Sequence, residues 1–316
     1  MSSYKVQSAV LMLIFKRPDT TQQVFDQVKA VRPDRLYVAA DGPREGHPTD
    51  AALCAQTRDI IKQVDWPCTV RTLFRDQNLG SMQAPASGIT WFFEQEEEGI
   101  ILEDDCLPNT SFFYFCDAML EKYRHDTRMF VVTGTNSQDG QTWGPASYYF
   151  SRHSSIWGWA SWRRVWQQYD VDLRAYKQED VKPQLQKIFN DPFLVDIWVN
   201  IFETVQQHRV QAWDHQLQLI TLFENGLCIT PNVNLISNIG FREDATHTFS
   251  KDSHNANRPT QQLTNIIHPT YIMPETDADY YFMNREFDLA SKWRRYNKPK
   301  RRFKRWVRSW LSGAGQ

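Results

Sequence analysis

The stretch GIILEDDCLP at residues 99–108 carries more information than any other part of this chain. Four residues suited to a buried strand lead into three adjacent carboxylates, Glu103, Asp104 and Asp105, and Pro108 is expected to end the strand. Three neighbouring negative charges repel each other, whereas a divalent cation such as Mg²⁺ or Mn²⁺ would remove that repulsion. In open α/β sheets, ligands bind beyond the carboxyl ends of the strands. A solvated acidic turn is the alternative, but the apolar run favours a metal site.

The composition is typical of an ordered globular protein. The 316 residues, 41% of them hydrophobic, suffice for one large domain or two small ones. The five cysteines form no CxxC pair, so they predict neither a structural zinc site nor a disulfide framework, and a cytoplasmic setting is the simplest interpretation. The apolar run at residues 10–15 is too short for a signal peptide, and no apolar window is long enough to span a membrane.

Charge is distributed unevenly along the chain. All 37 acidic residues lie at or before Asp288, whereas ten of the 36 basic residues lie between Lys292 and Arg308. The body therefore carries 26 bases against 37 acids, a net charge of −11, and the tail carries +10. This asymmetry indicates a tail with its own binding partner.

The tail, residues 292–312, has the pattern of a basic amphipathic helix. Apolar residues recur at helical spacing with bases between them, namely Phe303, Trp306, Val307, Trp310 and Leu311. The pattern predicts an interfacial helix on an anionic membrane, so that the protein would be peripheral on the inner face of that membrane. Docking of the helix on the acidic body is the alternative. Nucleic acid is not expected as a partner, because the acidic body would be repelled.

The first half of the chain alternates between strands and helices. Strands are expected at residues 7–14, 35–40, 68–74, 99–102 and 129–133, and the first helix is expected to be capped by Asp19 or Thr20. This alternation predicts an α/β fold with a parallel sheet covered on both faces. After about residue 136 the rhythm changes, with a helical region at 181–207 and a polar, loop-like segment from Phe241 to the tail.

Several nucleotide-binding and catalytic motifs do not occur in the sequence. The first strand is not followed by GxGxxG, and neither a P-loop nor a GxSxG elbow occurs. An enzyme of this kind would have to bind phosphates with a metal and basic side chains instead of a glycine loop.

Four stretches together resemble the GT-A-fold glycosyltransferases, most closely the inverting N-acetylglucosaminyltransferase I group. They are LIFKR at 13–17, VAADG at 38–42, LEDD at 102–105 followed by FFYF at 112–115 and VVTG at 131–134, and WGW at 157–159 with WDH at 213–215 and THT at 246–248. The resemblance covers most of residues 8–250 in order and spacing, and the third stretch is the most specific.

The resemblance implies a GT-A fold, with a mixed, mainly parallel sheet flanked by helices. It implies a transferase domain at residues 1–250, with a nucleotide-sugar half at 1–136 and an acceptor half at 137–250, and a C-terminal extension at 251–316.

The resemblance also implies roles for individual residues in donor binding. Phe15 and Arg17 would bind the nucleotide, and Asp41 would bind the uracil ring. The triplet corresponds to the DxD-type motif, in which Asp105 binds the cation, while Glu103 and Asp104 contact the ribose and the sugar.

Glycosyl transfer by single displacement needs a cation for the departing diphosphate and a carboxylate that takes the acceptor proton. Asp105, together with Asp104, is the expected metal pair. Asp214 follows Trp213, could lie in a partly apolar pocket and is the expected base. The related enzymes carry two adjacent acids here, whereas this chain has Asp214 and His215, so His215 stays an alternative. A helix N-cap is the structural alternative for Asp214.

Further candidate contacts have structural alternatives of their own. Trp157 is expected to contact a sugar, whereas Trp159, Trp162 and Trp166 fall at helical spacing and are expected to pack in the core. His247 lies in a polar loop that could close over the diphosphate and supply a metal or phosphate contact, although a lone loop histidine is more often solvated. Arg75 is expected to contact the nucleotide or to pair with Asp76.

The predicted function is therefore metal-dependent, inverting transfer of a sugar from a UDP-sugar, with UDP-GlcNAc as one candidate, to a glycan or lipid-linked acceptor at a membrane surface. A sugar nucleotidyltransferase is one alternative, but it would need a glycine-rich loop where this chain has Phe15-Lys16-Arg17-Pro18. A non-catalytic membrane-associated module on a transferase scaffold is the other.

Overall fold

The computed structural model describes residues 4–241 and 255–313. The first half of the chain alternates strands with helices, as its apolar periodicity predicts. Its elements are β1 (Ala9–Ile14), α1 (Pro18–Val31), β2 (Arg35–Ala40), α2 (Asp50–Asp59) with a 3₁₀ turn (Ile60–Gln63), β3 (Thr69–Phe74), α3 (Gly80–Phe93), β4 (Glu98–Glu103), β5 (Cys106–Pro108), α4 (Thr110–Tyr123) and β6 (Met129–Thr133).

The second half contributes further strands and a set of helices. Its elements are β7 (Tyr148–Ser151), β8 (Trp159–Trp162), α5 (Arg163–Trp166), α6 (Gln178–Ile188), α7 (Pro192–Gln206), α8 (Asp214–Phe223), β9 (Leu227–Pro231), β10 (Ile236–Asn238), α9 (Thr276–Phe287), α10 (Leu289–Tyr296) and α11 (Pro299–Gly313). Along the described ranges, we find no helix of the length and apolarity that a membrane crossing requires.

Eight strands form one sheet in the order β3-β2-β1-β4-β8-β6-β9-β7. β7 and β8 run antiparallel to their neighbours, and the other six strands share one direction. The central strands are buried on both faces, since helices cover the sheet. The predicted α/β architecture, with a mixed, mainly parallel sheet, flanking helices and a basic C-terminal helix, is confirmed.

β8 corrects the helical interpretation of the tryptophan cluster. Trp159 and Trp162 lie in a strand that pairs antiparallel with β4 and β6, and α5 begins only after Trp162. Both side chains are buried, so the prediction that they pack in the core is confirmed. The spacing of three residues misleads here, because it also fits two opposite faces of a short strand.

Two further local predictions were wrong. Helix α1 begins at Pro18 and its N-cap is Arg17, so Asp19 and Thr20 lie inside the first turn and do not cap it. Proline suits the first helical position because its φ is already helical. The segment expected to be loop-like contains α9, where buried Asp279 accepts hydrogen bonds from Ser151 Oγ and from the Arg152 backbone. These bonds attach α9 to the end of β7.

Candidate active site

The acidic triplet lies at the end of a central strand. β4 ends at Glu103, Asp104 and Asp105 form a turn, and the chain continues as β5, which pairs antiparallel with β10. Pro108 therefore ends β5 and not the strand that leads into the acids, which corrects the sequence prediction. The Ile239 N–H donates to the Asp105 carbonyl at 2.9 Å, so the turn is held by residues that follow β10.

Asp105 is the centre of a possible metal-ligand group. Single ligand atoms of Glu103, Asp105 and Cys106 lie within 4.8 Å of one another. Burial raises the pKa of the Cys106 thiol, and nearby carboxylates raise it further. The two carboxylates are the ligands that suit Mg²⁺ or Mn²⁺.

Asp104, the other half of the expected metal pair, faces the loop after β1. Its Oδ2 accepts from the Phe15 N–H at 3.2 Å, and Arg17 Nη1 lies 3.4 Å from its Oδ1. The same Arg17 nitrogen donates to Asp105 Oδ2 at 2.7 Å. Arg17 therefore lies against both aspartates and offsets part of their negative charge.

The triplet is electrostatically unfavourable as it stands. Burial, followed by the charges of Asp105, Asp104 and Asp214, raises the pKa of Glu103 well above its usual range. Burial also raises the pKa of Asp104 to about 7, although Arg17 opposes that rise. A divalent cation would relieve this repulsion.

Asp41 lies at the carboxyl end of β2 and holds the loop before α3. Its Oδ1 accepts from the Gly42 and Leu79 N–H groups, and its Oδ2 accepts from Asn78 Nδ2 and the Gly80 N–H, all within 2.8–3.0 Å. A carboxylate has about four acceptor positions, so these bonds use its capacity. The geometry therefore gives Asp41 a role in shaping the cleft, where the resemblance implies a contact with uracil.

Basic side chains line the same cleft. Lys16 Nζ and Arg44 Nε contact buried Asp50 at 3.0 and 2.7 Å, and both lie within 6.0 Å of the Phe15 ring centroid. Arg75 Nη2 donates to Ser87 Oγ at 2.7 Å, and burial lowers the pKa of Arg75. These cations offer binding positions for a phosphate group.

The opposite wall contains Trp157 and the start of α8. Trp157 contacts Phe241 edge to face with the ring centroids 5.8 Å apart, and its carbonyl accepts from Thr135 Oγ1. Trp213 is buried and stacks on Trp159. Trp213 occupies the N-cap position of α8, so Asp214 is the first helical residue and not the cap. Asp214 is only half-buried, and its Oδ1 lies 3.7 Å from His215 Nδ1.

The two walls enclose a cleft of about 650 Å³. It brings together nearly all of the predicted site residues, which are Phe15, Arg17, Asp41, Arg75, Glu103, Asp104, Asp105, Trp157 and Asp214. His215 lines it as well. His247 lies outside the described residues.

Sequence reasoning missed Asn238 and Gly240. Asn238 lines the cleft, and its Oδ1 accepts from the Gly240 N–H at 2.9 Å. A Cβ atom on Gly240 would lie 2.0 Å from Asp105 Oδ2, so only glycine leaves room for this carboxylate. The signal in the sequence is weak, because a lone glycine after a short strand is usually a turn residue.

Comparisons with known proteins reveal distant structural neighbours. No protein-family model and no curated protein matches the chain. The fold is similar to the crystal structure of 4-diphosphocytidyl-2C-methyl-D-erythritol synthase from Anaerococcus prevotii, with 11% identity and a TM-score of 0.33 over 58% of this chain and 85% of that one.

Two UDP-glucose pyrophosphorylase structures are also similar. The apo structure has 9% identity and a TM-score of 0.35 over 71% of this chain and 90% of that one. The UDP-glucose complex has 9% identity and a TM-score of 0.27 over 48% of this chain and 64% of that one. Likenesses this distant carry no argument about activity.

The arrangement itself has definite chemical capacities. Glu103 and Asp105 can hold a cation beside a wall of basic side chains, a combination suited to a diphosphate. Asp214, which lines the same cleft and is partly exposed, can accept a proton from a bound hydroxyl group.

Proposed function

We propose that the protein is a metal-dependent, inverting glycosyltransferase that uses a UDP-sugar as donor. The observation that carries the proposal is the position of Asp214 in the same cleft as the acidic triplet. A cation site and a carboxylate base in one cleft are the two groups that single displacement needs.

On this proposal, donor binding belongs to residues 1–136. Asp105 would hold Mn²⁺ or Mg²⁺ together with Glu103 or Asp104, and the bound cation would neutralise charge that develops on the departing diphosphate. Arg17 and Arg75 would contact the phosphates. Phe15 would bind the nucleoside, and Asp41 would shape the cleft beside it through the loop that it holds.

The acceptor would bind against residues 137–250. Asp214 would take the proton from the acceptor hydroxyl as its oxygen bonds to the sugar C1 and the bond from C1 to the diphosphate oxygen breaks, so that the configuration inverts. His215 is the second candidate for this base. Trp157 would contact the transferred sugar, for which N-acetylglucosamine is one candidate.

The C-terminal helix supports a proposal about the acceptor class and the cellular location of the protein. We propose a glycan or lipid-linked acceptor and a position at the inner, cytoplasmic face of a membrane. The basic, aromatic-bearing α11 supports this placement.

The test is release of nucleoside diphosphate from a panel of UDP- and GDP-sugars, with Mn²⁺, Mg²⁺ or EDTA. We expect slow hydrolysis of one UDP-sugar that requires the metal and is lost in Asp105→Ala. Asp65→Ala is the matched control, because Asp65 is an exposed aspartate that pairs only with Lys29 among the described ion pairs.

Other products would contradict the proposal. Formation of a UDP-sugar and pyrophosphate from UTP and a sugar phosphate would identify a sugar nucleotidyltransferase. Neither turnover nor metal-dependent binding of any nucleotide sugar would indicate a non-catalytic module.

A further inference from the structure

The two C-terminal helices present large aromatic side chains to solvent. Trp293 of α10 is 52% exposed, and Phe303, Trp306 and Trp310 of α11 are 64%, 62% and 67% exposed. Monomeric proteins rarely leave so much aromatic surface together without a binding role. We call α10 and α11, residues 289–313, the tail surface.

The tail surface is attached to the body through Tyr296, at the end of α10. The Tyr296 ring packs against Phe193 at 5.1 Å between centroids, and its hydroxyl donates to Asp196 Oδ2 at 3.2 Å. The Arg305 guanidinium lies 3.5 Å from the Tyr296 ring centroid and donates to the Tyr296 carbonyl. The contacts that attach the tail surface involve Tyr296 and Arg305, while Phe303, Trp306 and Trp310 stay largely exposed to solvent. This exposure disfavours docking of α11 on the acidic body.

The charge of the tail surface indicates the kind of partner that it binds. Ten bases and no acids follow Asp288, while the remainder of the chain carries a net charge of −11. A nucleic acid would be repelled by that body, and an acidic protein would not need the exposed tryptophans. Aromatic side chains enter the headgroup region of a bilayer, and lysines and arginines bind anionic headgroups.

We propose that the tail surface docks the protein reversibly on an anionic phospholipid bilayer, with Phe303, Trp306 and Trp310 entering the headgroup region. Resting on the proposed function, this docking specifies the lipid class and the side chains behind the membrane position, and it brings the cleft to a membrane-borne acceptor. Because docking requires both charge and aromatic insertion, it depends on anionic lipid and weakens as salt screens the bases.

The test is co-sedimentation of the full chain with vesicles of phosphatidylcholine, with and without phosphatidylglycerol. We expect at least about tenfold stronger binding to the anionic vesicles, and a loss of that binding in high salt. The variant Trp306→Ala/Trp310→Ala should lose about tenfold or more of the binding, since it removes inserted aromatics without changing charge. Tyr271→Ala is the control, because Tyr271 is 78% exposed but lies outside the tail surface.

Several outcomes would overturn the proposal. Equal binding to neutral vesicles, unchanged binding of the double tryptophan variant, or stronger binding to a DNA duplex than to anionic vesicles would each do so. A concentration-dependent dimer that disappears in the double variant would assign the surface to a second copy of the chain. Failure of the proposed enzyme activity is distinguishable, because vesicle binding requires no turnover and the double variant should still hydrolyse a soluble UDP-sugar.

Discussion

Single residues of the cleft are positioned by contacts with distant parts of the chain. Gly240 lies beside Asp105 although 134 residues separate them, and Asp41 accepts hydrogen bonds from Asn78, Leu79 and Gly80. Both residues act on the geometry of the cleft. Substitutions of Gly240 and Asp41 can therefore be distinguished from substitutions of groups that would touch the reacting atoms.

Gly240→Ala should weaken metal binding without unfolding the protein. The added methyl group would meet Asp105 Oδ2 at 2.0 Å and must displace this carboxylate. We expect a loss of about tenfold to a hundredfold in Mn²⁺ affinity, the usual effect of disturbing groups that orient a ligand. Isothermal titration measures the affinity, and thermal unfolding serves as the control. Unchanged affinity would show that Asp105 does not bind the cation in this position.

Asp41→Asn should destabilise the loop that precedes α3. An amide group offers one acceptor oxygen where the carboxylate now accepts four hydrogen bonds, so at least one buried N–H loses its partner. We expect the free energy of unfolding to fall by about 1–3 kcal/mol. Urea denaturation measures it, with exposed Asp76→Asn as the control. Equal stability of the two variants would mean that the loop does not depend on Asp41.

At the scale of elements, α9 is fastened to the body by buried polar and aromatic groups. His153 follows β7 and is stacked between Trp198 of α7 and Phe282 of α9, with ring centroids 5.8 and 5.3 Å apart. Burial lowers the pKa of His153 to about 3. The neutral ring is therefore part of the packing between the two helices.

This burial predicts how stability depends on pH. The pKa of His153 is about 3 in the folded protein and about 6.5 when unfolded, so the unfolded chain binds the proton more readily. His153 should therefore contribute a loss of stability of up to about 1.4 kcal/mol per pH unit as the pH drops from 6.5 towards 3. His153→Phe should remove this contribution, whereas His125→Phe, at an exposed position, should not. Urea denaturation at pH 7 and pH 5 measures the change in the free energy of unfolding. An equal change with pH in the wild type and in His153→Phe would contradict the prediction.

Helices and strands were predicted well where the sequence pattern of neighbouring residues determines them. The strands β2 and β6 have the bounds that their apolar runs predict. β8 and α9 were not recognised. β8 takes its conformation from pairing with β4 and β6, and α9 is held by Ser151 and Arg152, so neither depends on local periodicity alone.

At the scale of the whole molecule, β8 joins the predicted nucleotide-sugar half and acceptor half of the chain within one sheet. β8 lies between β4, which carries the triplet, and β6, while Trp159 of β8 stacks on Trp213 next to Asp214. The donor wall and the acceptor wall are thus joined through one strand. The proposed catalytic pair, cation and base, depends on this arrangement.

Asp214→Asn tests the function of the assembled cleft. We expect sugar transfer to fall by about 10²–10⁴-fold, the usual contribution of a positioned base, while metal-dependent donor binding is retained. Nucleotide-sugar affinity and turnover are measured on the same preparation. His215→Asn is the comparison, since a larger loss in this variant would assign the base to His215 instead.

The sequence alone determined the alternation of strands and helices, the position of three carboxylates at the end of a buried strand and the separation of an acidic body from a basic aromatic tail. These are properties of neighbouring residues, because periodicity, burial runs and charge are local. Only the tertiary structure decided that Gly240 borders Asp105, that Asp41 shapes a loop and that Asp214 lines the same cleft as the triplet. Those relations join residues from 37 to more than 100 positions apart, and sheet pairing and core packing, not local propensity, bring such residues together.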